Sequence, residues 1–205
     1  MQIAGIKKTS LLDYPGKIAT IIFTLGCNFR CHYCHNPDFV LPEKIKLIKD
    51  DLITEKAFFN FLEKRVGFID GVVITGGEPT LQKDLYEFIK KIKKMGFLIK
   101  LDSNGRDPKI LKRLIKNKLV DYIAMDIKNP IKKYKKIVNI NLNLPAYEES
   151  IKIILNSDID HEFRTTVVSG HHTKKDIENI GKLISGAKAY YIQNYESKIN
   201  LNPKF

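Results

Sequence analysis

Along this chain, short apolar runs rich in Val, Ile, Leu and aromatics alternate with stretches where apolar residues return every three or four positions. The runs cover residues 18–25, 71–75, 97–102, 121–126, 162–168 and 189–194. Such near-continuous hydrophobicity, bounded by turn residues, marks a parallel strand buried on both faces. The helical period covers residues near 54–65, 81–95, 108–117, 147–156 and 173–184. Asp107 before Pro108 is placed to cap one helix start, and Thr173 with Asp176 three residues on forms a capping box at another. Gly67 and Gly96 fall where helices stop. Residues 37–51 and 129–144 fit neither period and are predicted to be irregular. Six strand–helix units predict an α/β fold: a partial (β/α)6 barrel of the TIM type, with parallel strands and an open side able to admit something larger than a metabolite. No linker or repeat divides the chain, so one domain over residues 1–205 is expected.

The three cysteines of the chain sit within eight residues, Cys27, Cys31 and Cys34, spaced C-x3-C-x2-C. Thiolates so spaced on a short loop can turn toward one small inorganic core. Three of them on a [4Fe-4S] cube leave one iron without a protein ligand, where a small molecule can chelate. A disulfide framework is a poor alternative, because the count is odd and no secretory signal opens the chain. Structural zinc needs a fourth ligand, which His32 or His35 can supply, but the usual second ligand pair is missing. Inert core thiols fit badly beside Asn28, Arg30, His32 and His35. The spacing therefore favours an iron–sulfur cluster over zinc and over structural or redox thiols. Free thiols point to a reducing cytoplasm, and no run of about 18 apolar residues spans a membrane.

A net charge of +12 invites a nucleic-acid reading. The lysines cluster at Lys90-Lys91, Lys93-Lys94 and Lys132-Lys133-Tyr134-Lys135-Lys136. No basic stripe with interleaved aromatics accompanies them, so a solvated surface is the plainer account, with an acidic protein or nucleic acid as the alternative.

The unusual residues gather at the carboxyl ends of the predicted strands, the face that holds the site in βα barrels. The cysteine loop follows the first strand and Gly76-Gly77-Glu78-Pro79 the second. Asp102-Ser103-Asn104-Gly105 follows the third, Asp126 and Lys128 close the fourth, Arg164 lies in the fifth, and Gln193-Asn194-Tyr195 ends the sixth. Bare backbone at Gly76 and Gly77 lets a ligand approach closely, and Glu78 or nearby carbonyls can hold an ammonium group; the bland reading is a tight βα turn. Ser103-Asn104-Gly105 also reads as an Asx-type turn, and Asp126 with Lys128 as a surface ion pair. Arg164 in an apolar strand needs a carboxylate from the protein or a ligand. His171-His172 reads as part of a solvated loop.

Taken together, C-x3-C-x2-C after the first strand, Tyr33 just before the last cysteine and Gly76-Gly77-Glu78-Pro79 after the second strand resemble the radical S-adenosylmethionine (radical SAM) superfamily. The resemblance covers nearly the whole chain and implies the same partial barrel. Cys34-His35-Asn36 and the opening around Asp13-Tyr14-Pro15-Gly16 are similar to the anaerobic ribonucleoside-triphosphate reductase activating proteins, relatives of pyruvate formate-lyase activating enzyme. The resemblance implies that Cys27, Cys31 and Cys34 ligate a [4Fe-4S] cluster within a loop over residues 26–40. It implies that S-adenosylmethionine chelates the open iron, with Gly76, Gly77, Glu78 and Pro79 at its ammonium and the backbone around Tyr33 and His35 at its adenine. Ser103, Asn104, Asp126, Lys128 and Arg164 would line the rest of the cofactor. Asp102, Ser103 and Asp126 would form a monovalent-cation site. Tyr195 stands where a relative has a histidine.

The implied activity is reductive cleavage of S-adenosylmethionine to methionine and a 5′-deoxyadenosyl radical, which stores a glycyl radical in a partner, anaerobic ribonucleotide reductase by this resemblance. Flavodoxin or ferredoxin would supply the electron, and oxygen would destroy the cluster. No auxiliary cluster is expected without further cysteines, and the ending Leu201–Phe205 is short for a family member. Two rivals remain: a radical SAM enzyme on a small or nucleic substrate, such as 7-carboxy-7-deazaguanine synthase, and a non-catalytic iron–sulfur or zinc binding protein.

Overall fold

The computed structural model describes residues 1–141, 143–196 and 201. Residues 202–205, which carry the expectation of a reduced C-terminal segment, lie outside the described residues, as does Leu142 in the second irregular stretch. The described residues form one sheet of seven strands in the order β1 to β7: Ile3–Ser10, Ala19–Thr24, Gly71–Gly76, Leu98–Ser103, Tyr122–Asp126, Asp160–Val167 and Tyr190–Asn194. From β2 onward neighbours are parallel and follow chain order, as βα units require. These are the six predicted strands. The sheet does not close on itself among the described residues, which leaves the open side expected of a partial barrel.

The seventh strand, β1, is new. It pairs antiparallel with β2, Ile3 opposite Thr24 and Ser10 opposite Ala19. Its Gly5 and Lys7-Lys8 interrupt the apolar pattern because β1 is an edge strand, partly exposed along most of its length.

The helices are α1 Pro42–Ile48, α2 Glu55–Glu63, α3 Leu85–Lys94, α4 Pro108–Lys116, α5 Tyr134–Val138, α6 Leu144–Leu155 and α7 Lys174–Leu183. Thr54 caps α2 by accepting from the Ala57 N–H, Asp107 caps α4 through Ile110, and Thr173 with Asp176 forms the capping box of α7. Gly67 and Gly96, at φ of +81° and +90°, follow α2 and α3. Two departures concern the stretches read as irregular: α1 lies in the first and α5 in the second. Both are short and lysine-rich, so neither shows a full amphipathic period. The helix expected over 81–95 is a turn at Pro79–Leu81 followed by α3.

Side chains alternate across each strand. Outward-facing Ile22, Val72, Ile74, Ile99, Leu101, Ile123, Met125 and Phe163 pack with Phe58, Phe88, Leu111, Leu114, Ile151 and Ile180 of the helices in one core. Inward, a second cluster of Tyr14, Ala19, Ile21 and Val73 fills one end of the barrel, with Tyr14 tilted against Tyr122 at 5.8 Å. Further along the interior the residues turn charged: Lys100, Asp102, Glu162 and Arg164. The interior is thus sealed by apolar packing at the amino ends of the strands and ionic at the carboxyl ends.

Phe88 is central to the α2–α3 packing, stacked on Phe58 at 5.4 Å and tilted against Phe59 at 5.3 Å. Phe88→Ala is expected to cost about 3–5 kcal/mol, read from the urea unfolding midpoint; a change within experimental error contradicts this packing.

Candidate functional site

The cysteine loop leaves β2 at Gly26, whose φ of +83° belongs to the left-handed region glycine favours. Gly26 N–H donates to the Phe39 carbonyl at 2.7 Å, and Asn36 Nδ2 donates to the Gly76 carbonyl at 3.3 Å, so the loop folds back across the mouth of β3. The loop also packs on α5: Arg30 N–H donates to Val138 O at 2.9 Å, and the Phe29 ring, which borders the cysteine cavity, meets Tyr134 edge-on at 6.2 Å. All three thiols are free. Burial is the largest influence on each: it pushes Cys27 up to about 11, Cys31 up to about 12, and Cys34 upward. Burial thus disfavours the thiolate form at all three positions.

Glu78 organises the next two loops. It is 1% exposed, and among the described residues no cation pairs with it. Its Oε1 accepts from Thr80 N–H (3.2 Å), Thr80 Oγ1 (2.6 Å) and Ser103 Oγ (2.9 Å), and its Oε2 from Asn104 N–H (2.7 Å). Burial raises its pKa, and these donors act in the opposite sense. Asn104 continues the chain of contacts, donating from Nδ2 to Asn28 Oδ1 at 2.8 Å and reaching Cys27 Sγ at 3.9 Å. Gly76 has φ +112°, and a Cβ at Gly77 would collide with the Gly26 carbonyl. The protein's own backbone therefore requires both glycines, with or without a ligand.

Across β4, β5 and β6 runs a partly buried ionic network. Arg164 Nε meets Asp126 Oδ1 at 3.0 Å, and its Nη1 meets Asp102 Oδ2 at 3.2 Å. Lys128 Nζ pairs with Asp126 Oδ2 at 2.8 Å, and Lys100 Nζ with Asp102 Oδ1 at 2.6 Å. Glu162 lies 3.7 Å from Arg164 and 3.9 Å from Lys100, and accepts from Tyr122 OH at 2.7 Å. Burial opposes ionisation of Asp126, but the Lys128 and Arg164 charges overcome it and hold the carboxyl well below the usual range. The Asp126–Lys128 pair is thus interior, not the surface pair of the bland reading.

One cavity of about 430 Å³ collects these groups. Cys27, Cys31, Cys34, Tyr33, His35, Gly76, Gly77, Glu78, Asp102, Ser103, Asn104, Asp126, Lys128 and Arg164 all border it. Of the candidates only Pro79 stands behind the wall, starting the turn that carries Thr80. Asp13, Thr166 and Gln193 join the lining. Tyr195 stacks on His35 at 5.8 Å and meets Tyr33 edge-on at 6.2 Å. A larger cavity of about 840 Å³ borders α4 and α6, next to Val120, Asp121 and Asp160 at the opposite strand ends, away from the cysteines.

Sequence reasoning missed Lys100 and Glu162, charged residues at inward positions of strands, a signal read only for Arg164. His172 lies in the loop before α7 as expected, but half-buried: Nδ1 accepts from Val168 N–H at 3.1 Å, which leaves Nε2 to donate to the Lys128 carbonyl at 2.8 Å. His172 ties the end of β6 to that of β5.

The Radical SAM superfamily profile matches residues 21–184. The chain belongs to the radical SAM superfamily. Within it, a protein of Methanocaldococcus jannaschii provisionally named a glycyl-radical enzyme activating enzyme is 36% identical over 208 residues, covering 99% of this chain and 83% of that one. A pyruvate formate-lyase-activating enzyme of Clostridium pasteurianum is 29% identical over 204 residues, covering 98% and 81%. This radical SAM chain therefore belongs with the glycyl-radical activating enzymes and is an enzyme; a [4Fe-4S] cluster and S-adenosylmethionine are the cofactors its family implies. The fold agrees with that of Streptococcus suis SuiB bound to S-adenosylmethionine, at TM-score 0.64 and 14% identity, over 87% of this chain and 42% of that one. The chain thus spans less than half of that solved structure.

Removing the guanidinium leaves three carboxylates, Asp102, Asp126 and Glu162, sharing two lysines, Lys100 and Lys128, in the interior of this radical SAM protein. Arg164→Gln is expected to cost about 3–5 kcal/mol at neutral pH. Asp126 has a lowered native pKa, so its contribution is complete above the unfolded value of about 3.9 and is lost as pH falls through the native one. Without Arg164 that native value rises, so the gap between wild type and variant should narrow on acidification, measured by urea unfolding. A gap independent of pH contradicts the network.

Proposed function

We propose that this protein cleaves S-adenosylmethionine reductively and generates a glycyl radical on a partner enzyme. The single observation that carries this reading is that the three thiols share one cavity with the Glu78 and Arg164 constellations. Cys27, Cys31 and Cys34 are the cluster ligands in this proposal. The donor set fits: one buried and two half-buried thiols on one loop, which a positively charged metal core would hold as thiolates, and no fourth cysteine in the chain, which leaves one iron open. When bound, the reduced cluster supplies one electron to the sulfonium, and the broken S–C5′ bond yields methionine and the 5′-deoxyadenosyl radical that takes a hydrogen atom from the glycine.

The chain's own residues bind and orient. The strand-end backbone at Gly76-Gly77-Glu78, with Ser103 and Asn104, faces the amino-acid part of S-adenosylmethionine. Lys128 and Arg164 supply positive charge for its carboxylate. Tyr33, His35 and Tyr195 offer an aromatic wall for the adenine. A monovalent cation at Asp102, Ser103 and Asp126 would have to share these groups with the protein's own partners. Arg164 already bridges both carboxylates and Ser103 Oγ turns to Glu78.

The relatives' names favour a glycyl-radical enzyme as partner, and the Asp13–Gly16 opening favours anaerobic ribonucleotide reductase; flavodoxin or ferredoxin is the proposed reductant. Free thiols suit a reducing cytoplasm. Among the described residues no helix is long and apolar enough to cross a membrane.

Anaerobically reconstituted protein with dithionite is expected to form 5′-deoxyadenosine and methionine, and Cys31→Ala to abolish both. With a candidate reductase present, electron paramagnetic resonance should show a glycyl doublet. Undiminished cleavage by Cys31→Ala sinks the ligand assignment, and a modified RNA or pterin product in place of the doublet sinks the partner class.

A further inference from the structure

We propose that the outer surface of α5 and the turn before it is the docking site for an acidic one-electron carrier protein that reduces the cluster. The inference rests on the reading that Cys27, Cys31 and Cys34 hold a redox-active cluster. The cavity side of those cysteines faces the cofactor groups, so a protein donor must approach from behind the loop. α5, none of whose exposed lysines borders that cavity, is joined to the loop by the Arg30–Val138 hydrogen bond, with the Phe29–Tyr134 contact beneath it at the cavity wall.

The short helix buries Tyr134, Ile137 and Val138 and turns Lys135 and Lys136 outward, with Lys132 and Lys133 exposed just before them. Lys133 is neutralised by Asp176 at 2.8 Å. Among the described residues Lys132, Lys135 and Lys136 form no ion pair. Packing asks only for the apolar positions, and gathering like charges on so short a helix costs stability. Arg30 brings the positive field into the loop, donating to the carbonyls of Cys27 at 2.6 Å and Phe29 at 2.7 Å. A cavity of about 530 Å³ beside the turn adds Lys182 of α7 to the field.

Charge complementarity selects an acidic partner. A protein is favoured over nucleic acid because the patch is compact and its one aromatic, Tyr134, is buried, so no exposed ring interleaves with the lysines for bases to stack on.

The test is stopped-flow reduction of the reconstituted full chain by reduced flavodoxin and, separately, by dithionite. The Lys132→Glu/Lys135→Glu/Lys136→Glu variant should be reduced by flavodoxin about tenfold more slowly at low ionic strength, the difference vanishing at high salt. Reduction by dithionite, and dithionite-driven 5′-deoxyadenosine formation, should be unchanged. Lys135→Gln/Lys136→Gln should show a smaller slowing in the same sense. Equal flavodoxin rates in wild type and variants overturn the proposal, as does a flavodoxin unable to reduce wild type, or loss of RNA oligonucleotide binding with donor rates intact. Absence of 5′-deoxyadenosine from wild type with dithionite strikes the underlying cluster reading instead.

Discussion

A single buried carboxylate holds the functional end of this barrel together. Among the described residues Glu78 has no cationic partner, and four donors, from Thr80, Ser103 and Asn104, converge on it to offset its burial. Those donors lie on the loops after β3 and β4, which the carboxylate fuses into one body. Asn104 then reaches the cysteine loop at Asn28 and Cys27, and the Gly77–Gly26 contact closes the same link through backbone. Three loops far apart in sequence thus share one fixed geometry, which is what a site must have to hold a cluster and a small molecule in register.

The interior ionic network does the complementary work on β4, β5 and β6. Asp102, Asp126 and Glu162 are matched by Lys100, Lys128 and Arg164, so the charge of the network balances locally. A balanced network under the cavity fixes Arg164 and Lys128 without leaving stray field, and both still border the cavity where a carboxylate can meet them. Apolar packing around Tyr14 seals the other end. The division between a dry, apolar base and an ionic mouth follows from side-chain alternation alone.

The parallel strands, the caps at Asp107 and Thr173 and the strand-end position of the site were legible because buried β-runs, capping residues and clustered cysteines leave local signals. What escaped was set by tertiary neighbours. β1 is partly exposed and carries Lys7 and Lys8, so its pattern is weak until β2 pairs with it. α5 shows three apolar residues among lysines, and only the cysteine loop gives them a surface to cover. Lys100 and Glu162 sat unnoticed inside apolar runs, since one strand cannot reveal which ion on another will meet it. Gly76 and Gly77 read as room for a ligand, and both border the cavity; the fold adds a second need for them, since the backbone of Thr24 crowds Gly76 and that of Gly26 crowds Gly77.

The central claim is an iron–sulfur core held by Cys27, Cys31 and Cys34 with one iron open to an outside ligand. Mössbauer spectroscopy of anaerobically reconstituted, 57Fe-labelled protein, with and without S-adenosylmethionine, tests it most directly. A four-iron cluster in which a single iron changes its isomer shift on adding S-adenosylmethionine is the expected result. Bound zinc in place of iron, or four irons that ignore the added molecule, contradicts it.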